Sequence, residues 1–215
     1  MSSTYFYVVD RDFGFAPNPF HGYCSLATCK PGIRNSAMEQ DWIIGMGGNR
    51  LKATGRCIFA MQVSNKITFN EYWTNPLFAN KKPMRNGSRK TIVGDNIYCY
   101  NDSRKSWSQA DSHHSHADGS LNAHNLKTDT KSHSVLLSNH FWYFGSAAPN
   151  IPEAKLKKIG YKNCRNYRKF ESIQCVEIIS WLEKQYGRSH NLVLGDPFDF
   201  HSSHKRYSAG TNKIT

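Results

Sequence analysis

Apolar residues in this chain come in short bursts between polar loops, and most bursts have strand character. Residues 5–9, Tyr-Phe-Tyr-Val-Val, combine aromatic and β-branched side chains and predict a strand. Residues 41–46, opening with Asp41 and Trp42, predict a buried strand. Gly47-Gly48-Asn49 turns the chain into a second strand at 56–63, and Ile67 to Phe69 begins another. Further strands are expected at 95–100, 135–137, 141–144 and 192–194. A helical turn is expected at 38–40, and residues 71–83 read as helical or irregular. The clearest helix is 170–186, where Phe170, Ile173, Val176, Ile179, Leu182 and Tyr186 recur every three or four positions and Gly187 supplies a stop. From Ser202 the chain is polar and is expected to fray. The pattern lacks the regular strand–helix alternation of a doubly wound sheet. It predicts an α+β fold: a strand-rich single domain over 1–200, a C-terminal amphipathic helix, and a polar tail over 201–215.

Composition adds little to the fold but bounds the class. A 39% hydrophobic and 13% aromatic chain of 215 residues can bury a full core. No apolar run approaches the roughly 20 residues that span a bilayer, and the N-terminus lacks a leader pattern. The expectation is a cytoplasmic protein without membrane contact. Its six cysteines would stay reduced there. Cys24 and Cys29, five residues apart with no second pair, make a poor zinc signature, and buried small hydrophobes are the simpler reading.

Charge changes the picture more. The formal net charge is +12, and nearly all of it lies in residues 81–110 and 151–170. Between them, residues 109–129 hold four histidines, three aspartates and two asparagines. Basic flanks around a His/Asp centre suit a phosphate-bearing ligand meeting acid–base or metal chemistry. The candidate catalytic groups are His113, His114, Asp118, Asp12 and Asp129. In a strand, His114 and His116 would share a face, with His113 pointing away. Arg11, Asn18, Asp41, Trp42, Asn122 and Asn125 are candidate ligand contacts, and Trp42, Tyr72 and Trp73 candidate stacking surfaces. Lys81, Lys82, Arg85, Arg89 and Lys90 could follow phosphates, as could the basic run between Lys155 and Lys169. No GxGxxG, P-loop, GxSxG or HExxH is present, which removes support for kinase, Rossmann, α/β-hydrolase and zincin readings. The metal, if any, and the cofactor stay unassigned. The expected partner is a nucleotide or nucleic acid.

Five strings carry a wider resemblance: YVVDRDFGFAPNPFHGYCSLATCKPGIR, DWIIGMGG, FNEYWTNPLFANKKP, SHHSHADGSLNAHN and VLLSNHFWYFG. Together they resemble the second type of nucleotide modification associated domain, over about residues 5–152. The resemblance implies association with systems that modify DNA bases or defend a genome, and with their proteins, and places family motifs on Arg11, Asp12, Asn18, Asp41, His113, His114, Asp118 and Asn125. A shorter likeness, over about 30 residues around Asp41, is to the strands of PUA-like (EVE and ASCH) barrels, with Gln40 where a glycine is usual. Two functions stay open: an enzyme that processes a nucleotide or nucleobase, and a non-catalytic PUA-like reader of modified bases.

Overall fold

A computed structural model describes residues 2–215 as an α+β protein divided into two compact units. The first comprises residues 2–12, 37–65 and 138–198; the second comprises 13–36, 66–137 and 199–215.

The first unit is built on a six-stranded mixed sheet. In spatial order its strands are Tyr167–Glu171, Ser3–Val9, Trp42–Gly47, Cys57–Gln62, Phe141–Tyr143 and Leu192–Val193. Ser3–Val9 runs parallel to Trp42–Gly47, with Tyr5 opposite Ile43, and antiparallel to Tyr167–Glu171. Every residue of Trp42–Gly47 is buried, which is why that strand reads as a continuous apolar run. The sheet is open at Tyr167–Glu171 and Leu192–Val193, so the PUA-like barrel is not formed among the described residues. Gln40 has φ 72°, a left-handed conformation that glycine adopts without strain, which accounts for the glycine expected there.

The helix expected at 170–186 is Ser172–Tyr186, since Phe170 belongs to the preceding strand. Its buried face meets the one the periodicity selects only at Leu182. Cys175, Ile178 and Leu182 are buried, while Ile173 and Val176 are exposed. Two apolar stripes one residue apart on the helix compete in the sequence, and packing decided between them.

The second unit packs around Phe13, Phe15, Phe20, Phe69, Tyr72, Phe78, Tyr98, Val135 and Leu137. A three-stranded sheet of Cys24–Leu26, Ser134–Ser138 and Asn65–Thr68, in that order, lies in it, with a hairpin of Tyr98–Asn101 and Ser106–Gln109. Helix Phe69–Thr74 starts at a capping box: Thr68 Oγ1 accepts the Glu71 N–H and the Glu71 carboxylate accepts the Thr68 N–H. The turn expected at 38–40 is present, closed by the Asp41 N–H on the Met38 carbonyl at 3.1 Å, and a helix precedes it, Pro31–Ser36, whose proline takes the first position, where its missing N–H costs nothing. The polar C-terminal segment is not loose. Tyr207–Ser208 pairs with Lys213–Ile214, and Tyr207 N–H donates to the His113 carbonyl at 2.7 Å.

Candidate active site

The His-rich segment folds as a tight turn followed by helix Ala123–Asp129, not as a strand. The alternation expected of a strand is therefore lost: His113 and His114 are both buried, and His116 is exposed. Asn122 caps the helix by accepting the N–H groups of His124 and Asn125. That fixes Asp129 one to two turns away, pointing back at the turn that carries the histidines.

His114 is the centre of the arrangement. Its Nδ1 lies 2.7 Å from Asp129 Oδ2, and its Nε2 lies 3.9 Å from Cys29 Sγ. The Asp129 carboxylate also accepts the Tyr98 hydroxyl at 2.9 Å and the Cys29 N–H at 2.7 Å. Arg34 is fully buried beneath this group. It donates to the carbonyls of Cys29, Ser132, Ser134 and Asp129. Asn125 completes the frame, donating to the carbonyls of His114 and Tyr207 and accepting the Ala209 N–H.

The electrostatics divide the two histidines. Burial works against a charged His114, but the charge and hydrogen bond of Asp129, with Cys29, outweigh it and raise the pKa well above the ordinary imidazole value. Burial likewise disfavours a charged Asp129, yet His114 and Arg34 hold its carboxyl below the usual range. Among the described residues no carboxylate pairs with His113. Its Nδ1 meets the Lys205 carbonyl at 2.6 Å and its ring packs against Phe13 and Phe15. Burial, and then the neighbouring His114 charge, push its pKa down to about 3. The Asp129 carboxylate thus favours the charged form of His114, and burial beside that charge favours the neutral form of His113. Arg34 and His114 both bring positive charge to Asp129, and of the two it is His114 that faces Cys29 Sγ.

Cys29 was not among the residues expected at a site. It is half-exposed, unlike fully buried Cys24, Cys57 and Cys175. It sits in the turn between strand Cys24–Leu26 and helix Pro31–Ser36, with φ 57°. A non-glycine residue held left-handed at a strand-to-helix turn is backbone strain of the kind found where a side chain must be presented. The signal in the sequence is Cys29-Lys30-Pro31, because a proline that opens a helix leaves the cysteine at the turn before it.

The remaining expected residues separate into other roles. Asp118 is exposed, and its carboxylate closes its own turn by accepting the Ser120 N–H and hydroxyl; the structure does not bring it to the histidines. Asn18 is buried and ties the Gly14 and Val93 carbonyls to the Phe20 N–H. Lys81 is a correction: it is no surface cation. It is 1% exposed, and its ammonium lies within 3 Å of Asn18, Tyr23 and Ser25 oxygens. Beside it Asp95, also buried, accepts the Ser25 and Tyr72 hydroxyls. Burial lowers the Lys81 pKa to about 8 and raises that of Asp95 to about 6. Tyr72 belongs to this second network and has no free face. Arg85 donates to the His204 carbonyl, Lys82 covers the Trp73 ring, and Arg89 and Lys90 are exposed.

In the first unit, Asp12 accepts the Tyr143 hydroxyl and the Phe198 N–H, and Arg11 beside it is half-buried. Asp41 accepts the Ser3 and Met38 N–H groups, a structural bracket at the strand start. Trp42 stacks on Trp142, 5.8 Å between centroids and 9° between planes, so one face of the expected stacking residue is taken. Of the second basic run, Lys155, Lys157 and Lys158 pair with Glu153 or Glu177.

A family model described as nucleotide modification associated domain 2 matches residues 1–204. The chain belongs to this family. The match spans both compact units and nearly the whole chain, and the family is one associated with nucleotide modification. No curated protein and no solved structure matches the chain. No helix among the described residues is long and apolar enough to cross a membrane.

Proposed function

We propose that this member of the family is an enzyme that processes a nucleotide or nucleobase through Cys29, with His114 as its proton partner and Asp129 as the group that orients the imidazole. The observation that carries this reading is the bridging position of His114, with Nδ1 on Asp129 and Nε2 facing Cys29 Sγ. An imidazolium beside a cysteine, itself fixed by a third group, is the arrangement by which cysteine nucleophiles are activated. His114 would give its proton to a leaving group or developing anion. Arg34 would keep the aspartate in place without touching the ligand. The exposed cations Arg89 and Lys90 of the same unit supply charge for phosphate.

The substrate need not be known to test this. Brief alkylation with iodoacetamide at neutral pH, followed by peptide mass spectrometry, ranks the cysteines. Cys99 and Cys164 are also half-exposed and serve as internal references. Cys29 is expected to react at least about tenfold faster than either, and H114A to abolish the difference. Equal rates at the three sites, or a rate at Cys29 that H114A leaves unchanged, would overturn the proposal.

A further inference from the structure

A second cluster of ligand-capable side chains lies in the first unit and takes no part in the Cys29 chemistry. His140 Nε2 is 3.0 Å from one carboxylate oxygen of Glu183, and His190 Nε2 is 3.1 Å from the other. The two imidazole rings meet edge to face, 4.2 Å between centroids. All three donor atoms lie within 4.8 Å of one another.

Three separate elements converge to build the cluster. His140 sits in the turn before strand Phe141–Tyr143, where its N–H donates to Ser138 Oγ and its carbonyl accepts the Ser138 hydroxyl. Glu183 comes from the last turn of helix Ser172–Tyr186. His190 leaves that helix through a short turn, and its neighbour Asn191 is tied to both backbone groups of Phe141. Trp142 walls one side, 4.5 Å from the His190 ring, and is itself held by its indole N–H on the Tyr186 carbonyl. The other side is open enough to leave the three side chains between 28% and 38% exposed. A metal ion could therefore enter without displacing packed chain.

We propose that His140, Glu183 and His190 form a binding site for a divalent transition-metal ion of the zinc class. The argument is one of spacing and donor type. Metal–ligand bonds of about 2.0–2.1 Å in tetrahedral geometry place neighbouring ligand atoms about 3.3 Å apart. The two imidazoles already meet the Glu183 carboxylate at 3.0 and 3.1 Å, one on each oxygen, and with the donor atoms all within 4.8 Å of one another an ion could gather them by rotation of these partly exposed side chains. Two imidazoles and one carboxylate suit zinc, cobalt, nickel or iron(II), whereas calcium and magnesium take oxygen ligands. Three protein ligands leave a further position for water or an anionic group of a bound molecule. The site is independent of the Cys29 proposal, since its residues all belong to the other unit.

The test is cobalt(II) titration of the full chain after chelator dialysis, read by visible absorption, with zinc added afterwards as competitor. The expected result is a d–d band that saturates at one cobalt per chain and is lost on adding zinc. E183Q and H190A should each weaken cobalt binding by at least about tenfold, whereas H204A, in the polar tail of the second unit, should not. E183Q keeps the carboxylate's shape and an acceptor oxygen, so it remains informative if H190A folds poorly. No band at stoichiometric cobalt, or unchanged affinity in E183Q, would overturn the proposal.

Discussion

If His113 is the neutral member of the histidine pair, its protonation should destabilise the fold in a pH range where His114 does not titrate. The folded-state pKa of His113 is pushed down to about 3, below its ordinary 6.5. As pH falls below 6.5, the unfolded chain takes this proton first, so stability is lost progressively towards pH 3. At 1.36 kcal/mol per pKa unit, the loss between pH 7 and pH 5 is about 2 kcal/mol for this one residue. Asp95 acts with the opposite sign. Its carboxyl is raised to about 6, so the folded state takes that proton first and gains about 1 kcal/mol by pH 5. The two effects leave a net loss of about 1 kcal/mol in the wild type, which does not report His113 alone, so the informative quantity is a difference. H113Q cannot titrate, and its lost packing lowers stability by a pH-independent amount. Urea unfolding of both proteins, followed by tryptophan fluorescence, should show the wild type's advantage over H113Q shrinking by about 2 kcal/mol from pH 7 to pH 5. An advantage constant to within about 0.5 kcal/mol would refute the neutral assignment of His113 and the division of roles between the two histidines.

Three further outcomes follow from the same geometry. D129N leaves the buried His114 and Arg34 charges without their carboxylate; it should cost about 3 kcal/mol in urea unfolding and slow alkylation of Cys29 as H114A does. K81M should cost about 3 kcal/mol, because it leaves the Asp95 carboxylate buried without its cation, and adding D95N should recover part of the loss; a phosphate-binding Lys81 would instead leave stability unchanged. D118N should change stability by no more than about 0.5 kcal/mol and leave the Cys29 alkylation rate alone, since the side chain only closes an exposed turn.

Local pattern alone marks a candidate segment at 109–129 and much of the secondary structure. Continuous burial makes 42–47 apolar throughout, and the aromatic and β-branched run near Tyr5 is a strand for the same reason. Both depend on local pattern, which a linear reading can see. His114, Asp129 and Asn125 could be singled out as candidates from the sequence, because so many titratable groups rarely gather in 21 residues, and the structure shows the three hydrogen-bonded in one frame. Tertiary structure alone decided how they are used. Cys29 and Arg34 are brought to Asp129 from about a hundred residues away, and nothing in the local sequence around either marks that meeting. Lys81 and Arg89 look alike as basic loop residues, yet one is buried on four acceptors and the other faces solvent. His113 and His114 are neighbours of identical chemistry, and they are set apart by a single carboxylate that reaches one ring and not the other. Burial magnifies that difference, because in a low-dielectric interior the presence or absence of one counter-charge decides whether an imidazole holds its proton.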